Sequence, residues 1–101
     1  MKVIHTTKDS FHKDVMEGGS KVLLDFWAPW CGPCRMVSPV LDQIAAERPD
    51  IKVCKINVDE EMELARKYKI FSIPTLIVME DGRQQQKMVG ARSKDQILAH
   101  F

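Results

Sequence analysis

The sequence predicts an α/β fold: a central mixed sheet of five strands flanked by four helices, covered on both faces. Three observations predict it. Short apolar or β-branched runs alternate with stretches of helical periodicity. A strand–helix–strand unit, which needs a parallel pair, is followed by two strands joined at Asp81-Gly82, which need an antiparallel one. And 101 residues suffice for one core but not for two, so residues 1–101 read as a single domain without linker, repeat or low-complexity segment.

The elements follow in order. Residues 2–5 read as a short strand, and a helix near 9–16 would bury Phe11 and Val15. Residues 22–27 (Val-Leu-Leu-Asp-Phe-Trp) form a nearly continuous apolar run, as expected of a strand buried on both faces. From 35 to 48, Met36, Val37, Val40, Leu41, Ile44 and Ala45 recur at helical spacing and give one apolar face. Pro39 falls inside that helix, where it cannot donate to the carbonyl of Arg35, so a kink is expected there. Residues 51–58 are a β-branched strand. Asp59 is placed to cap a helix over 60–68, with Glu60 and Glu61 near its positive end. Residues 75–79 and 84–89 flank Asp81-Gly82 as a hairpin. Ser93 and Gln96 have capping-box spacing ahead of Ile97, Leu98 and Phe101.

Composition narrows the function. With 45% hydrophobic and 29% charged residues the chain has enough apolar material to fold. Fifteen basic against 14 acidic residues leave a net charge of +1 with no like-charged block, which argues against a nucleic-acid binder. The start, Met1-Lys2-Val3-Ile4-His5-Thr6, lacks the apolar run of a signal peptide, and no stretch approaches the roughly 20 apolar residues of a membrane span. The expectation is a cytoplasmic protein in a reducing compartment, where paired cysteines tend to be catalytic or metal-binding.

Trp30-Cys31-Gly32-Pro33-Cys34 stands between the 22–27 strand and the following helix. Cysteines at i and i+3 in a first helical turn can bring their sulfurs within bonding distance. The first sits where unpaired backbone N–H groups and the helix dipole favour a thiolate, the reactive form. Gly32 is expected to let the backbone turn, and Pro33 loses no hydrogen bond at a helix start. A zinc half-site is the competing reading, but zinc needs about four ligands, and only Cys54 and the scattered His5, His12 and His100 remain. Asp25 is a charge inside an apolar strand. Burial would raise its pKa, and it could exchange a proton with Cys34 through water; an ordinary satisfied aspartate is the alternative. Cys54, mid-strand, reads as a small hydrophobe, with a regulatory thiol as the alternative. The methionines, Met1 apart, read as gap-fillers or helix-face residues.

Asp25-Phe26-Trp27-Ala28-Pro29-Trp30-Cys31-Gly32-Pro33-Cys34 resembles the active-site segment of the thioredoxin family. Ile73-Pro74-Thr75 is similar to its second landmark, and Asp81-Gly82 and Val89-Gly90 to its hairpin turn and strand end. The resemblance spans nearly the whole chain and implies a thioredoxin-like fold. It implies a protein disulfide reductase in which Cys31 forms a mixed disulfide that Cys34, more buried and assisted by Asp25, resolves. It puts Lys55 beside Asp25, holding that pKa down, with a solvated lysine as the alternative. The Ile73–Pro74 bond should be cis and face the cysteines, leaving the Ile73 backbone to pair with an extended substrate and keeping metal away. Trp30, Gly32, Pro33, Ile73, Pro74, Gly90 and Ala91 are the implied substrate-binding residues, with core packing the alternative for Trp30; Trp27 is divided between core and site wall. No cofactor is expected beyond the Cys31–Cys34 disulfide. The implied partners are disulfide-containing proteins and a thioredoxin reductase that itself carries FAD and uses NADPH, with the chain a monomer away from membrane and nucleic acid. A redox-independent binding module and a zinc-binding domain remain as alternatives.

Overall fold

A computed structural model describes residues 2–17 and 21–101, so Met1 lies outside the described residues. Five strands, β1 (Ile4–His5), β2 (Lys21–Trp27), β3 (Ile51–Asn57), β4 (Thr75–Glu80) and β5 (Arg83–Val89), form one sheet in the order β1-β3-β2-β4-β5. β1 and β2 pair with β3 in parallel; β4 runs antiparallel to β2 and β5 antiparallel to β4. The sheet is mixed for the reason the pattern gives: the helix between β2 and β3 reverses the chain, whereas β4 and β5 are joined directly. At that joint Asp81 (φ 53°) and Gly82 (φ 75°) both occupy the left-handed region, as a two-residue hairpin loop requires.

The helices are a five-residue π-helical segment (His12–Met16), α1 (Gly32–Glu47), α2 (Met62–Lys67) and α3 (Lys94–Leu98). Strand alternation divides the core between the two faces of the sheet. Leu23, Ile51, Val53, Leu76 and Val78 pack with Val37, Leu41, Ile44 and Ala45 of α1 and Ile97 of α3. Val22, Leu24, Phe26, Cys54, Ile56, Ile77 and Met79 pack with Phe11, Val15 and Leu64 on the other side. β2, central and buried through Val22–Phe26, is apolar in both registers for that reason.

Several boundaries move. α1 begins at Gly32, three residues earlier than its apolar periodicity, because Cys31 is its N-cap. Its ladder continues past Pro39, which is exposed on the face away from the core. Asp59 does not cap α2. The cap position is Glu61, without a side-chain bond, and the Asp59 carboxylate instead accepts from the Trp30 indole. The C-terminal end of α2 is closed from across the molecule, where the Lys87 ammonium of β5 donates to the carbonyls of Tyr68 and Lys69. The Ser93–Gln96 capping box is present with both of its bonds, and Phe101 packs half-buried against the core beyond the end of α3. No helix among the described residues is long and apolar enough to cross a membrane.

Candidate active site

The site grows from the end of β2. After Trp27 the chain turns, with the Cys31 N–H donating to the Ala28 carbonyl at 3.2 Å, and enters α1. Cys31 and Cys34 are joined by a disulfide, with Cα atoms 5.3 Å apart. Cys31 Sγ also accepts the Cys34 N–H at 3.2 Å, so one of the orphan amides of the helix start is aimed at sulfur. That amide, and the dipole of a 16-residue helix, favour negative charge on Cys31 once the disulfide opens. As whole residues Cys31 and Cys34 are equally buried, each 4% exposed. Gly32 does not carry the turn: its φ lies outside the left-handed region and an added Cβ would meet nothing within 4 Å. Gly32 leaves a bare, exposed stretch of surface beside exposed Pro33.

Asp25 is 1% exposed, and among the described residues neither carboxylate oxygen has a hydrogen-bond partner. Burial pushes its pKa up to about 7, while the Lys55 charge pulls the other way. Lys55 is directly opposite Asp25 in the β2–β3 register, as anticipated. Its ammonium does not close on the carboxylate, however. It donates to Ser38 Oγ of α1 at 2.9 Å and lies 4.7 Å from the centre of the Trp27 ring. Desolvation therefore outweighs attraction. Trp27, Ala28, Pro29, Cys34, Arg35, Ser38 and Lys55 line a cleft of about 130 Å³, so Cys34 and Lys55 share one opening.

Around Cys31 the surface is apolar. Trp30 is 69% exposed, which rules out core packing, and its indole N–H donates to Asp59 Oδ2 at 3.0 Å. Val58 and Ile73 pack on the Ala28–Cys31–Cys34 cluster. The Ile73 carbonyl oxygen is 3.8 Å from Cys31 Sγ; a disulfide sulfur has no proton, so this contact becomes a hydrogen bond only for the thiol. The Ile73–Pro74 bond is cis and Pro74 is buried. Its carbonyl accepts the Gly90 N–H at 2.8 Å, and Gly90 takes φ 95°, a conformation suited to glycine. That bond ties the end of β5, and with it exposed Ala91, to the loop facing the cysteines.

Sequence reasoning missed Ser38, Asp59 and Phe71. Phe71 is 92% exposed and lines an apolar notch of about 170 Å³ with Trp30, Val58, Ile70, Ser72 and Ile73. A helical i+4 step from Cys34 was the available signal for Ser38, and a large aromatic two residues before Ile73 the signal for Phe71. A larger cleft, about 570 Å³, lies elsewhere, between residues 7–9 and 60–66; Lys8 and Glu63 pair there at its rim. No cluster among the described residues groups three or more potential metal ligands. Cys54 is fully buried, and burial raises its thiol pKa.

Comparison with known proteins adds the family. The thioredoxin family model matches residues 2–101. A thioredoxin of Pseudomonas aeruginosa is 44% identical over 96% of this chain and 91% of its own length. One from Mycobacterium tuberculosis is 49% identical over 94% of this chain and 83% of its own. A Mycobacterium leprae protein named bifunctional thioredoxin reductase/thioredoxin is 46% identical over 94% of this chain, which spans 21% of that protein.

Proposed function

This chain belongs to the thioredoxin family and is a dithiol–disulfide oxidoreductase, and from that premise we propose how its residues divide the exchange. Cys31 is the attacking thiolate and Cys34 the resolving thiol. The observation that carries this assignment is the position of Cys31 at the N-cap of α1, its sulfur taking the Cys34 amide at 3.2 Å.

In the reduced protein, Cys31 attacks one sulfur of a target disulfide. A Cys31–target bond forms, the target S–S bond breaks, and the departing target sulfur takes a proton from water. Cys34 then passes its proton to the Asp25 carboxylate through water. This role is supported by a pKa of about 7 and by Trp27 and Lys55, which share the Asp25 sheet face and line the Cys34 cleft. The Cys34 thiolate attacks Cys31, the internal disulfide closes, and the second target sulfur leaves with the proton Asp25 returns. Two electrons and two protons pass to the target. Lys55 tunes Asp25. Trp30, Gly32, Pro33, Ile73, Pro74, Gly90 and Ala91, joined by Phe71, receive an extended target segment, with the Ile73 backbone pairing to it.

The redox group is the disulfide itself. The proposed electron donor is a thioredoxin reductase holding the FAD and oxidising NADPH, supported by the name of the bifunctional relative. The proposed setting is the cytoplasm and the proposed state a monomer of one domain, residues 1–101. Insulin-disulfide reduction by dithiothreitol tests the activity: wild type accelerates it and Cys31→Ser does not. No acceleration by wild type would defeat the reading.

A further inference from the structure

We propose that Ser38 is a positioning residue whose hydroxyl holds the Lys55 ammonium over Trp27 and away from the Asp25 carboxyl, thereby setting the pH at which Asp25 exchanges its proton. The proposal rests on the proton-exchange role given to Asp25 above. Asp25 and Lys55 face each other in register on adjacent parallel strands, so their side chains leave the same face of the sheet. A lysine so placed next to a buried carboxylate that has no hydrogen-bond partner among the described residues has every electrostatic reason to close an ion pair. Here it does not. Its ammonium is 2.9 Å from Ser38 Oγ and 4.7 Å from the Trp27 ring centre, two contacts that draw it toward α1 and the open cleft.

Ser38 lies one helical turn beyond Cys34, on the same side of α1, so the residue that holds the lysine is fixed to the element that carries the resolving cysteine. Among the described residues, the charged and titratable groups facing this region are few. β2 contributes Asp25 itself and β3 contributes Lys55. β1 places His5 opposite Lys55, α1 contributes Cys34 and Arg35, and β4 presents Leu76 opposite Asp25. Of these charges, Lys55 is the one that shifts Asp25.

The test is a ¹³C-carboxyl titration of Asp25 in the oxidised, full-length protein, which needs no turnover. Alanine is a good helix former, so Ser38→Ala should keep α1. Without its hydroxyl partner the ammonium turns to the carboxylate, and the Asp25 midpoint falls by roughly one pH unit, the low end for an opposite charge at close range. Ser38→Thr, which restores the hydroxyl, keeps the wild-type midpoint. The acid limb of mixed-disulfide resolution in the reduced protein moves with the titration. An unchanged or raised midpoint in Ser38→Ala overturns the proposal. So does a fall that persists when Lys55→Met is added, because the lysine would then not be the agent. Insulin reduction by wild type reports separately on the oxidoreductase reading, so the two can fail independently.

Discussion

Replacing Asp25 by asparagine should make the protein more stable, by an amount that grows with pH. The carboxyl is 1% exposed and has no hydrogen-bond partner among the described residues, and its pKa rises from 3.8 to about 7 on folding. The folded state therefore holds the Asp25 proton more tightly than the unfolded chain does. Stability from this group is complete below about pH 4 and is lost as pH rises to 7 and beyond. The gap is about 3 pH units at 1.36 kcal/mol each, or about 4 kcal/mol above pH 8. Asparagine has nearly the same shape and never ionises. Near pH 4 the two proteins should thus be close in stability, and near pH 8 Asp25→Asn should be the more stable by about 4 kcal/mol. Asp50 and Glu63, whose exposed carboxylates are held down by Arg48 and Lys8, titrate in both proteins and cancel in the difference. Urea unfolding of the oxidised forms between pH 4 and 8.5 measures the effect. A difference that stays flat with pH would refute the reasoning, because the carboxylate would then not be ionising in a dry site.

Other changes separate site from scaffold. The same Asp25→Asn protein should resolve its mixed disulfide on the order of 10²-fold more slowly, the low end for loss of a positioned acid–base group, as read by stopped-flow tryptophan fluorescence. Phe71→Ser removes one wall of the notch beside Trp30. It should raise KM for protein disulfides by about tenfold while leaving kcat and the reduction of a small aromatic disulfide unchanged, as steady-state kinetics would show. Ser93→Ala breaks the capping box of α3 and should cost about 1 kcal/mol in urea unfolding without altering insulin reduction. Gly82→Ala should destabilise by about 1–2 kcal/mol in the same assay, since φ 75° suits glycine and the new Cβ would meet Met16 Cε at 3.0 Å.

What could be read without coordinates was what short-range chemistry fixes. The 22–27 run is apolar in both registers because β2 is the central strand, and the helical face of Val37, Leu41 and Ile44 lies on it as its spacing required. β5, with exposed Arg83–Gln86, has almost no strand pattern of its own and was legible only through the Asp81-Gly82 turn. The cysteine pair was legible because spacing and the strand-to-helix junction coincide, and Asp25 because a charge interrupts an apolar run. Long-range bonds were not legible. Asp59 looked like a helix cap, but Trp30, 29 residues away, took its carboxylate. Lys55 was expected beside Asp25, holding its pKa down, and it does stand opposite Asp25, but nothing in the sequence weighed Ser38 and the Trp27 face against that attraction. The apolar period of α1 begins only at residue 35 because Gly32 and Pro33 carry none; its first turn was legible from the cysteine spacing and Pro33, and the sulfur of Cys31 caps it.

In the proposed exchange Cys31, not Cys34, carries the target. Incubating reduced Cys34→Ser with a disulfide-bonded protein and resolving the products by non-reducing mass spectrometry tests it directly. A long-lived adduct through Cys31 is expected, and none with Cys31→Ser under the same conditions. Adducts accumulating instead on Cys34 of the Cys31→Ser protein, with Cys34→Ser left free, would contradict it.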